Sequence, residues 1–134
     1  MPQINTQQIE SHEIIVQNIC NYACRILKYP NLKIKIMRRR EAVKRGRGYI
    51  MGHTKIGGNI ITLDIYTARL RKPKKISSIL SVLAHEIAHH QKPPYRQWYL
   101  GRWIVRQHFP RFYKQVTKNL EKMKDNEMIG KYFK

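Results

Sequence analysis

Acid is scarce in this chain. Its 134 residues hold 8 Asp and Glu against 27 Lys and Arg, a formal charge of +19. That balance says little about fold. It points to an anionic partner, and nucleic acid is the usual one. Cysteine is scarce too. Cys20 and Cys24 stand four apart, which is neither a CxxC redox spacing nor a zinc-ribbon spacing. They are expected on one helix face, one turn apart, as core thiols in a reducing compartment. No run of about 18 apolar residues occurs, so no membrane span is expected. The first residues carry neither a basic region nor an apolar core of the secretory kind, which predicts a cytoplasmic protein. Repeats and low-complexity linkers are absent. The 42% of hydrophobic residues suffices for one modest core, so residues 1–134 are read as a single domain.

Helical spacing of Ile9, Ile14, Ile15, Ile19, Tyr22, Ala23, Ile26 and Leu27 predicts a helix over residues 6–28. Pro30 forbids its continuation. Leu32 to Ile36 alternates apolar and basic residues, as a half-buried strand does. Tyr49-Ile50-Met51 is a candidate second strand, His53 to Asn59 a hairpin connection, and Ile60 to Ile65 a third strand. Ser77 or Ser78 is expected to cap a helix running to about His90 or Gln91. That helix is apolar around much of its girth and therefore buried. A further helix is expected over 95–107, and a last one, opened by Pro110, over about 110–124. The class is α+β, with a three-stranded antiparallel meander between helices.

The buried helix carries "HEIAHH": His85, Glu86, His89 and His90. Histidines at i and i+4 project from one helical face and can reach one ion. Zinc accepts imidazole nitrogen readily and forms compact tetrahedral sites. Glu86, on a slightly rotated bearing, is placed to take a proton from water, a general-base role. Two imidazoles and a carboxylate on a buried helix need such a reason, because unpaired buried polar groups are costly. His90 points roughly 100° away from His89 and is a poor co-ligand. A catalytic zinc site needs a third protein ligand. Between Gln91 and Gln107 there is no Asp, Glu, His or Cys. The candidates are His108, Glu121, Asp125 and Glu127 downstream, and His53 and Asp64 upstream.

"LAHEIAHH" followed by "HFPRFYKQV" (His108 to Val116), with "NIITLD" (residues 59–64) upstream, resembles the SprT-like, WLM and YgjP-type zinc metallopeptidases. The resemblance implies a minimal zincin-like fold: an N-terminal helix, a short meander, the HExxH active-site helix, then C-terminal helices. It implies one zinc ion on His85, His89 and His108, with Glu86 as general base and Phe112 as a packing aromatic. Phe109 stands where those proteins have glycine, and Glu121 is the alternative third ligand. Tyr95, Tyr99 and Tyr113 are candidates for stabilising an oxyanion. The implied activity is peptide-bond hydrolysis on or near proteins bound to DNA. A regulator-cleaving peptidase of the ImmA/IrrE type and a non-enzymatic basic binding module are the other readings.

Three basic clusters carry the nucleic-acid expectation: Arg38 to Arg47, Arg69 to Lys75, and Arg96 to Lys118. Candidate contacts are Arg38, Arg39, Arg40, Lys44, Arg45, Arg47, Arg96, Arg102 and Arg106. In the third cluster they interleave with Tyr95, Trp98, Tyr99 and Trp103, a mixture suited to phosphate contact and base stacking. Trp98 and Trp103 are themselves expected to pack on the core. The tail from Glu121 to Lys134 is expected to pack back as a short helix, with occlusion of the cleft as the other possibility.

Overall fold

A computed structural model of the chain describes residues 6–37, 52–54, 58–67 and 70–134, with side chains described from residue 11 onward. Helix α1 (Thr6–Ile26) leads into strand β1 (Lys33–Ile36). Strands β2 (Gly52–Thr54) and β3 (Ile60–Leu63) follow, then helix α2 (Ile76–Gln91), strands β4 (Tyr95–Tyr99) and β5 (Arg102–Arg106), and helix α3 (Pro110–Asp125). A 3₁₀ turn, Gly130–Phe133, ends the chain. The class is α+β, as expected.

Helix α1 closes with Lys28 at φ 66°. Tyr29 N–H bonds the Cys24 carbonyl (2.8 Å) and Lys28 N–H that of Arg25 (3.0 Å). This left-handed stop satisfies end carbonyls that the helix leaves open, and Pro30 follows it. Val16, Cys20, Ala23, Cys24 and Leu27 form its buried stripe.

The sheet order is β1-β3-β2, with β1 parallel and β2 antiparallel to β3. The antiparallel meander is therefore corrected. Its physical reason lies in the strands themselves: Lys33-Ile34-Lys35-Ile36 buries alternate residues and suits an edge. Ile61, Thr62 and Leu63 are buried in succession and suit the centre, where both faces are covered. The strand expected at Tyr49–Met51 lies outside the described residues. His53 and Thr54, expected in the connection, are strand together with Gly52. Gly52 is required there, because a Cβ would stand 2.8 Å from Val82 Cγ1 and 3.0 Å from Leu63 Cδ2. Its absence lets β2 lie against α2.

Helix α2 begins at Ile76 after Lys75, with no side-chain cap, so neither Ser77 nor Ser78 has the expected role. The incoming chain is held instead by Lys74, whose N–H bonds the Ile65 carbonyl (2.9 Å) and whose Nζ bonds that of Asp64 (2.9 Å). Ile79, Leu80, Leu83, Ala84, Ile87 and Ala88 are buried along α2. All but Ala88 meet α1, the sheet, Met123 and Ile129 in one core. Each of the isoleucine and leucine side chains contributes about 1.5–3 kcal/mol when fully buried.

The helix expected over 95–107 is a β-hairpin, Tyr95↔Arg106 through Tyr99↔Arg102. Leu100 (φ 49°) and Gly101 (φ 80°) make its two-residue turn. A glycine in mid-helix costs about 1 kcal/mol, whereas two left-handed residues are what a tight hairpin turn demands. Trp98 and Trp103 face each other across the strands, 5.4 Å between rings. They are 58% and 59% exposed, so the expectation that they pack on the core is also corrected. The tail packs back as expected, with Ile129 buried and Tyr132 and Phe133 against the core.

Candidate metal centre

Position i to i+4 on α2 puts His85 and His89 on one face. His108 reaches them from the loop that enters α3, two residues before Pro110 at the helix start. The three ring centroids form a nearly equilateral triangle: 5.0 Å for His85–His89, 5.2 Å for His85–His108 and 5.0 Å for His89–His108. One nitrogen from each imidazole lies within 4.8 Å of the others, a grouping able to hold a metal ion. Phe112, fully buried one turn into α3, supports all three. It stacks on His89 at 4.4 Å and meets His85 at 4.9 Å and His108 at 5.2 Å.

The electrostatics suit a cation. Burial, together with the neighbouring His85, His108 and His90, pushes the His89 pKa down to about 4. Burial and then His108 lower that of His85. Both rings are therefore neutral near pH 7, with lone pairs free for a Lewis acid. Burial raises the Glu86 carboxyl to about 7. Its surroundings penalise its charge until a positive group stands nearby.

These groups line an open cleft of about 330 Å³. His85, Glu86, His89 and His108 form one wall. Gly52, His53 and Thr54 of β2 form another, and Pro94 and Gln107 close a third side. Spacing alone did not reveal the β2 wall, because only the tertiary fold brings this edge strand beside α2. Thr54 is tied to that helix by a 2.5 Å hydrogen bond between its Oγ1 and His90 Nε2. His90, half-buried, thus faces Thr54 and stays outside the cluster.

The other candidates lie elsewhere. Glu121, Asp125 and Glu127 are exposed and outside the cluster. Asp64 is buried and engaged twice by Arg71, at 2.9 and 3.0 Å. His53 lines the cleft but is not in the cluster. None of Tyr95, Tyr99 and Tyr113 lines the cleft. The Tyr113 ring is stacked beside His108 at 6.2 Å. Arg96, Arg102 and Arg106 are carried by the β4–β5 hairpin and do not line the cleft. Arg38, Arg39, Arg40, Lys44, Arg45 and Arg47 lie outside the described residues. The tail residues do not line the cleft, so they do not occlude it. No described helix is long and apolar enough to cross a membrane.

No family model matches the chain, and no curated protein matches it. Among solved structures, the crystal structure of the metallopeptidase zymogen of Pyrococcus abyssi abylysin is similar to it. The two chains are 20% identical with a TM-score of 0.45, and 87% of each is covered.

Proposed function

We propose that this chain is a zinc-dependent metallopeptidase of zincin type, with His85, His89 and His108 as ligands and Glu86 as general base. Its substrates are peptide bonds in proteins on or near nucleic acid. The observation that carries the reading is the triangle of imidazoles beside a buried carboxylate in an open cleft. Three histidines with one side left open are the donor set of a catalytic zinc site, whereas a structural site is closed by a fourth protein ligand.

When bound, zinc supplies Lewis acidity: it acidifies water and draws charge from a carbonyl oxygen. The chain's residues do the rest. The three imidazoles, held from behind by Phe112, orient the open side toward the cleft. A Glu86 carboxylate oxygen takes a proton from the attacking water and returns it to the leaving amine. The β2 wall holds the substrate backbone against that carboxylate. The charge of +19 supports an anionic setting for the reaction.

Glu86→Gln tests the mechanism. The variant should keep its metal, because the carboxylate is outside the ligand set, and lose hydrolysis of a casein or peptide substrate by roughly 10²–10⁴-fold. Cleavage at the wild-type rate would overturn the reading.

A further inference from the structure

The β4–β5 hairpin packs against no other described helix or strand. An isolated two-stranded hairpin is marginal in water and gains little from its own hydrogen bonds. Yet this one displays Trp98 and Trp103, the only tryptophans of the chain. Arg96 lies over the Trp103 ring (5.7 Å) and Arg106 over that of Tyr99 (5.4 Å). At its root, Tyr95 and Phe109, 5.0 Å apart, line a groove of about 530 Å³ edged by Lys92 and Arg111. No Asp or Glu occurs from residue 91 to residue 120.

We infer that the hairpin arm and the groove at its root form a binding track for single-stranded nucleic acid. The inference deepens the nucleic-acid setting proposed above and rests on that part of it, but not on peptide hydrolysis. Guanidinium groups without a single intervening acid match a polyanion, and exposed indoles offer flat faces to bases. Those faces favour a single strand, since the bases of a duplex are already stacked on each other. A second copy of this chain would bring like charge to like charge. A membrane-inserting arm would keep its cations away from the tip, whereas Arg102 directly follows the Leu100–Gly101 turn.

The test is titration of the full chain with a 12-mer of oligo(dT), followed by tryptophan emission and by anisotropy of a labelled strand. Both tryptophans lie on the arm, so emission reports the proposed surface directly. Binding should quench it. Trp98→Ala with Trp103→Ala should weaken affinity by about tenfold or more, and Trp98→Phe with Trp103→Phe should recover most of it. Arg96→Gln with Arg102→Gln should flatten the salt dependence of binding, since each lost phosphate contact lowers the slope. Far-ultraviolet circular dichroism separates these effects from unfolding.

Undiminished affinity in the double alanine variant, with unquenched emission in the wild type, would overturn the inference. So would preference for a duplex of equal length, or binding only to phosphatidylglycerol vesicles. Because binding is read without hydrolysis, an inactive or metal-free protein that still binds oligo(dT) through the arm leaves the inference standing and sinks only the peptidase reading.

Discussion

Phe112 stacks on His89 at 4.4 Å with 29° between the ring planes. One buried ring of α3 thereby sets the position of a histidine of α2, and it also touches the other two imidazoles. Phe112→Ala should cost about 3–5 kcal/mol in stability, as large-to-small changes do in cores. Phe112→Leu should cost less, yet still weaken metal binding, because the imidazoles lose their flat support. Thermal melts beside chelator-competition titrations will separate the two effects.

Ligand identity is read by metal analysis. The wild-type chain should carry about one zinc ion. His85→Ala, His89→Ala and His108→Ala should each lose it, whereas Glu121→Gln should retain it. Retention in His108→Ala would move the third ligand elsewhere. Chelation should also lower the melting temperature, because an ion at 100 times its dissociation constant stabilises the folded chain by about 2.7 kcal/mol.

Asn119 is buried where α3 crosses α2. Its Nδ2 donates to the Ala84 carbonyl (3.1 Å) and to Gln91 Oε1 (2.7 Å), and its Oδ1 accepts from Gln115 (3.0 Å). The first of these bonds lies one residue before His85. Asn119→Ala should destabilise the chain by about 1–3 kcal/mol, measured by urea unfolding. Asn119→Leu should be at least as damaging, since it places an apolar group against a backbone acceptor.

Burial raises the Cys20 thiol to about 12, with Cys24 adding to it, and burial raises Cys24 to about 11. Both should resist Ellman's reagent at pH 8 in the folded protein and react at once in guanidinium. The sign of the pH dependence follows from the raised values. Above pH 9 the unfolded thiols ionise while the folded ones hold their protons, so the unfolded state gains. The stability contributed by the protonated thiols is complete below pH 9 and is lost progressively up to about pH 11–12. Cys20→Ala with Cys24→Ala should remove that part of the alkaline decline in urea-melt stability.

Much of the site was legible in one helix. The i, i+4 histidines, the intervening glutamate and the apolar girth of residues 76–91 are local properties, so reading along the chain finds them. Residues 95–107 form a hairpin and not the expected helix; aromatic and β-branched residues satisfy a helical spacing as readily as a hairpin pattern. Only the left-handed Leu100–Gly101 pair distinguishes them. Gly101 was the available signal.

The amino-acid sequence by itself determined the charge, the α+β class, the extent of α1, α2 and α3, and two imidazoles sharing a helical face, because each depends on near neighbours in the chain. Tertiary structure decided that β3 lies between β1 and β2, that β2 walls the cleft, and that the hairpin stands clear of the core. It also decided that His108 closes the triangle over Phe112 while Glu121 stays in solvent. Those outcomes depend on which surfaces meet across long loops. No periodicity records that, because burial rewards any packing that covers the apolar faces and only the full set of contacts selects one.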